Sequence, residues 1–133
     1  MIKAYFASRI RAERGEAATD EEIAINVERG VRMGRAIRGL FPELDLFIPH
    51  EHEAVLYELR KMGKITGNDI VKAYCETVKE KELLIIYLPV SEGTEQEAKA
   101  AREACIPIVS FTDLSAWQTR EIQRVIKELN IPV

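Results

Sequence analysis

The chain has 133 residues, of which 47% are hydrophobic, with a formal net charge of -3 and a pI of about 5.5. That size and apolar content suit a single domain over residues 1–133 with one real core. The acidic balance excludes holding nucleic acid as a polymer by its backbone, and no apolar run approaches the roughly 20 residues that span a bilayer.

Taken in chain order, "IKAYFAS" (Ile2 to Ser8) is a short β-prone run, followed by the polar loop "RIRAERGEAATDEE". Thr19 with Glu22 three residues later is a capping-box pattern that predicts a helix starting near Asp20. Ile23, Val27, Val31 and Ile37 recur at helical spacing, with Gly30 and Gly34 on nearly the same stripe, where the helix can approach a sheet closely. Pro42 in "FPE" stops it. "LDLFIP" is a second strand, "EHEAVLYELRKMG" a second helix closed by Gly63, and "GNDIVKAYCETVKEKE" a third helix leading into the most apolar run of the chain, "LLIIYLP" (Leu83 to Pro89). "SEGTEQE" then turns into the helix "TEQEAKAAREA", a strand "IPIVSF", and a last helix from Asp113 with Leu114, Trp117, Val125 and Leu129 as its apolar stripe.

Strands that alternate with helices and are continuously apolar indicate a mostly parallel sheet covered on both faces, a small doubly wound α/β fold of the flavodoxin-like or Rossmann-like kind. Ligands of such sheets sit outside the carboxyl ends of the strands at a switch point. The segments of interest are therefore "SRIR" after the first strand, "PHEHE" after the second and "SEGTEQE" after the third.

In the third of these, Thr94-x-x-Glu97 fits a capping box, in which Glu97 bonds back to the Thr94 amide. The functional alternative places the Glu97 carboxylate at the mouth of the sheet, beside helix N-terminal amides suited to an anion. The two readings are compatible.

"YFASRIR" and "SEGTEQE" resemble the nucleoside 2-deoxyribosyltransferase superfamily, whose members share a small flavodoxin-like α/β domain; the resemblance covers most of the chain through strand order and two loop motifs. Gly93, Thr94 and Glu97 match the family's Gly-Thr-x-x-Glu core, which implies that Glu97 is the nucleophile attacking the anomeric carbon of a deoxyribose. The chemistry suits the residues. Breaking an N-glycosidic bond develops oxocarbenium character, which a carboxylate under the ring stabilises or traps covalently, and Gly93 lets the backbone approach the sugar. Tyr5 matches a tyrosine that positions or polarises the nucleophile in the family, with core packing as the alternative role.

The branch of 2'-deoxynucleoside 5'-monophosphate N-hydrolases builds a phosphate site from a serine and an arginine after the first strand and a serine in the glutamate loop, which Ser8, Arg9 or Arg11, and Ser91 resemble. This chain reads Ser-Arg-Ile-Arg where that branch reads Ser-Ile-Arg, so both arginines stay candidates. The resemblance also implies a base-side aspartate about eight residues upstream of the acid that opens the third strand. Counting back from Glu82 gives Tyr74, and Asp69 and Glu76 are the neighbouring carboxylates, with Asp69 taken as the candidate.

His50 and His52 in "PHEHE" lack a third metal ligand at a recognisable distance, so no metal is expected; His50 is a candidate pocket wall. Cys75 and Cys105 have neither CxxC spacing nor a disulfide-rich setting, and no signal-like segment opens the chain. They are expected as buried, free thiols of a cytoplasmic protein. The expectation is an enzyme that cleaves or transfers the N-glycosidic bond of a nucleoside or its 5'-monophosphate without cofactor, with the hydrolase ahead of the transferase. Resemblance implies a homodimer or larger assembly. The alternative is a catalytically idle nucleotide-binding module of the same fold.

Overall fold

The computed structural model describes residues 1–9 and 19–130. Four parallel strands, β1 (Ile2–Ala7), β2 (Leu44–Phe47), β3 (Leu83–Tyr87) and β4 (Ile108–Phe111), form one sheet in the order β2-β1-β3-β4. Five helices accompany them among the described residues: α1 (Asp20–Leu40), α2 (Glu53–Lys61), α3 (Gly67–Lys79), α4 (Glu92–Glu103) and α5 (Ala116–Leu129). A short 3-10 turn over Pro49–His52 precedes α2.

The central strands are apolar throughout because both of their faces are covered. On β1, Ala4 and Phe6 pack with Ile37 of α1 and with Ile122 and Ile126 of α5, while Tyr5 and Ala7 pack with Val78 of α3 and Ala98 and Ala101 of α4. The fold is thus doubly wound, with α1 and α5 on one face and α3 and α4 on the other. The order reverses between β1 and β3, so the segments after these two strands flank the crevice where ligands of such sheets bind.

Local signals account for most boundaries. Thr19 caps α1, its hydroxyl accepting the Glu22 amide at 3.1 Å. Of the α1 stripe, Gly30, Gly34 and Ile37 are buried, and Ile23, Val27 and Val31 are half-buried. A Cβ at Gly34 would come within 2.8 Å of Ile48 Cδ1 and 3.1 Å of Phe6, which is why the helix can lie so close to the sheet there.

The last helix departs from expectation. It starts at Ala116, because Asp113 accepts the Ser115 amide at 2.8 Å and the Gln118 side chain bonds Thr112 on both its oxygen and its nitrogen, holding residues 112–115 as a turn. Its buried face is then Ile122 and Ile126, flanked by Val125 and Leu129, and Trp117 is 70% exposed rather than part of the stripe. Cys105 is also exposed, contrary to the buried role expected of it: it occupies a left-handed turn (φ 57°) just after α4, where the chain reverses at the surface. Cys75 is half-buried, and both thiols are free. No helix among the described residues is long and apolar enough to cross a membrane.

Candidate active site

The register of α4 decides what Glu97 does. Ser91, in extended backbone (φ -118°, ψ 178°), is the N-cap, and its hydroxyl accepts the Thr94 amide at 3.4 Å. The helix therefore begins three residues before the position that a Thr94-Glu97 capping box requires, and that box does not form. In this register Thr94, Glu97, Ala98 and Ala101 share the stripe turned to the sheet, where Ala98 and Ala101 pack against the core. Glu97 is consequently a carboxylate on the buried face of an amphipathic helix, 8% exposed.

Burial raises the Glu97 carboxyl from its ordinary 4.5 to about 7, opposed by the Tyr5 hydroxyl and reinforced by the negative charge of Glu53. Tyr5 is fully buried, and burial followed by the Glu97 charge pushes its hydroxyl well above the usual tyrosine range. The two groups face each other loosely: Tyr5 favours the charged carboxylate, yet its hydroxyl meets the geometry of a full hydrogen bond with no group among the described residues. A buried hydroxyl left this way costs stability, and catalytic contacts are often long before substrate binds.

Two further groups join them. Tyr74 of α3 packs edge-on against Tyr5 with ring centroids 6.4 Å apart. Its hydroxyl is 3.4 Å from the Glu53 Oε1 and 3.4 Å from the Pro49 carbonyl, and burial followed by Glu53 holds it above the usual range. The stack continues through Phe47, 5.5 Å from Tyr5, to His52, 5.5 Å beyond.

Because side chains alternate along β1, Ser8 points to the opposite face from Tyr5. There it lines a shallow cleft with Arg9, Asn26, Arg29, Gly30, Tyr87, Leu88 and Pro89. Gly30 makes room for this arrangement: a Cβ would overlap the Ser8 hydroxyl and stand 3.0 Å from His50 Cδ2. His50 is buried, with Nε2 3.4 Å from Ser8 Oγ. Burial lowers it to about 4 against the opposing Arg9 carbonyl, so the ring is neutral at pH 7, and its Nδ1 meets the geometry of a full hydrogen bond with no group among the described residues. The turn that carries it is tied to α1 through Glu51, which accepts from Arg38 at 2.9 and 3.2 Å and from Arg35 at 3.1 Å, while Arg38 also donates to the Leu46 carbonyl at 2.8 Å. Arg9 and Arg29 have no carboxylate partner among the described residues. The cleft therefore offers two guanidiniums and a hydroxyl suited to an anion.

The structure thus brings Tyr5 and Glu97 together, and Ser8, Arg9 and His50 together. Ser91, Gly93 and Thr94 stand at the start of α4; the Ser91 hydroxyl is engaged as the cap, and a Cβ at Gly93 would meet only Ser91 Oγ, at 3.9 Å, leaving open space above the turn. Arg11 lies outside the described residues. Asp69 is not brought to Glu97. It is the third residue of α3, exposed, and its carboxylate accepts the Thr66 amide at 2.9 Å while Thr66 accepts its amide at 3.1 Å, a closed capping box that accounts for the residue. Among the described residues no group of three or more His, Cys, Asp or Glu is placed to hold a metal ion.

Asn26, Arg29 and the pairing of Tyr74 with Glu53, the last residue of "PHEHE", were not found from sequence. The one available signal was Gly30, which marks the α1 face that approaches the sheet and hence its neighbours one turn back. The chain matches no family model, and no curated protein or solved structure matches it.

Proposed function

We propose that the protein cleaves the N-glycosidic bond of a (deoxy)nucleoside 5'-monophosphate, with Glu97 as nucleophile and water as acceptor, as the resemblance to deoxyribosyltransferase-like N-hydrolases implies. The observation that carries the reading is the placement of Glu97. Nothing in the packing of α4 against the sheet requires a carboxylate on that stripe, and burying one beside a tyrosine hydroxyl opposes folding. A desolvated carboxylate at the crevice is what a sugar losing its base needs beneath its anomeric carbon. The cleft of Ser8, Arg9 and Arg29 at the same edge of the sheet supports a phosphorylated substrate, with the phosphate contributing binding energy away from the reacting bond.

In this reading Tyr5 steadies the ionised Glu97, Ser8 and Arg9 hold phosphate, His50 walls the pocket as a neutral ring, and Gly93 leaves room for the sugar. The partner is a small nucleotide, the compartment is the cytoplasm, and the working form is a homodimer or larger homo-oligomer. Incubation with 2'-deoxynucleosides and their 5'-monophosphates, followed by chromatography for free base, is the direct test. Release from the monophosphates that falls about a hundredfold or more in Glu97→Gln supports the reading. Exchange with an added second base in preference to water would make the protein a transferase, and binding without release would make it an idle nucleotide-binding module.

A further inference from the structure

Cleavage of a bond between an anomeric carbon and a poor leaving group needs a proton for that group as well as a carboxylate for the carbon, and two carboxylates on one pocket are the usual means. Asp69 is committed to capping α3. Tyr74 occupies the place on α3 from which a carboxylate was expected to reach the base, and its hydroxyl holds the Glu53 carboxylate, 3.4 Å away. We propose that Glu53, delivered from the first turn of α2 and positioned by Tyr74, is the general acid that protonates the departing base. The proposal rests on the N-glycosidase reading and supplies its missing proton donor.

Three observations support it. Glu53 is half-buried at the start of α2, with its carboxylate 3.4 Å from the hydroxyl of Tyr74, whose ring packs against Tyr5, the tyrosine that faces Glu97. An aromatic wall next to a carboxyl group suits a flat heterocyclic base. Moreover, the Glu53 charge opposes ionisation of Glu97, so the two carboxylates lie within electrostatic reach of each other. Among the described groups around the two carboxylates are the hydroxyls of Tyr5 and Tyr74 and the Cys75 thiol.

The step balances without a further reagent. A Glu97 oxygen bonds to C1' as the C1'–N bond breaks, and the departing electron pair on the base nitrogen takes the Glu53 proton. Water then attacks C1', the bond to Glu97 breaks, and the water proton returns to the Glu53 carboxylate, a form that the N-terminus of α2 favours.

The experiment compares wild type, Glu53→Gln, Glu53→Asp, Tyr74→Phe and Glu97→Gln on two substrates: an unmodified 2'-deoxypurine 5'-monophosphate and its N7-methylated analogue, whose base leaves without being protonated. Glu53→Gln is expected to lower kcat/KM about a hundredfold or more on the unmodified substrate and less than about tenfold on the methylated one. Glu53→Asp should recover part of the loss. Tyr74→Phe should shift the alkaline limb of the pH profile for the unmodified substrate only, which a purely structural role would not do. Equal losses on both substrates, or no loss on either, would overturn the assignment of Glu53 while leaving Glu97 in place. Failure of the wild type on both substrates would overturn the N-glycosidase reading itself, and Glu53 with it.

Discussion

Replacing Glu97 by glutamine tests the environment of the carboxylate apart from any catalysis. The carboxyl is raised from 4.5 to about 7 in the folded protein, so the folded state binds the proton more tightly than the unfolded chain. Stability from this group is therefore fully present below pH 4.5 and is lost as pH rises to about 7. At about 1.4 kcal/mol for each pH unit between the two values, the ionised form opposes folding by roughly 3 kcal/mol at pH 8. Glutamine keeps the shape and does not titrate, but it still buries an amide. The expected gain in Glu97→Gln is thus about 2 kcal/mol at pH 8, shrinking to nothing or a small loss near pH 4.5. Urea unfolding at several pH values, with an unchanged dependence on denaturant, reads this directly. A difference between the two proteins that does not vary with pH, or a wild type more stable than the variant at pH 8, would show that the Glu97 carboxylate is solvated and the argument from burial mistaken.

His50 should titrate in the opposite sense. Its depressed value of about 4 against an ordinary 6.5 means stability that is present above pH 6.5 and lost as pH falls to about 4, so Glu97→Gln should leave a steeper acid-side loss than wild type, measurable in the same unfolding series. Gly30→Ala should displace the Ser8 hydroxyl, with helix propensity offsetting part of the overpacking for a net loss within about 2 kcal/mol by thermal or urea unfolding. Its kinetic mark is a reduced preference for monophosphate over nucleoside. Arg9→Ala and Arg29→Ala should each lower kcat/KM for the monophosphate by roughly 2 to 4 kcal/mol of transition-state binding and change the nucleoside little; unchanged discrimination in both would remove the phosphate from this cleft. Arg38→Met, which loses Glu51 and the Leu46 carbonyl at a site that is 41% exposed on the arginine side, should cost about 1 kcal/mol, less at high salt.

The parallel sheet was legible because its strands are buried on both faces: "LLIIYLP" has no polar alternation to hide it, and the capped start of α1 lies where Thr19 puts it. The start of α4 was not legible. Ser91 and Thr94 are both good caps, and Thr94-x-x-Glu97 completes a box on paper; only the packing of Ala98 and Ala101 on the sheet selects Ser91 and turns Glu97 inward. Trp117 failed for a related reason, since helical spacing alone does not say where the preceding turn ends and the helix begins. Arg29 and Asn26 look like any polar pair on a long helix until Gly30 is seen against Ser8.

Sequence spacing placed a carboxylate partner for Glu97 on α3, where Asp69 is exposed and committed to a capping box. A crossover from β2 to β3 passes over β1 on the face of α4, and it brings with it α2 as well as α3. Either helix can present a side chain to Tyr5 and Glu97, and sequence spacing before β3 sees only α3. There the geometry gives α3 an aromatic hydroxyl, Tyr74, and α2 the carboxylate, Glu53, 3.4 Å apart. An acid on α3 in place of Tyr74 would lie against Tyr5 itself, and Tyr74→Asp should therefore raise the Glu97 carboxyl further and delay the rise of activity to higher pH. A profile for Tyr74→Asp that rises at the wild-type pH would mean that position 74 is electrostatically remote from Glu97, and that Tyr74 reaches Glu53 without reaching Glu97.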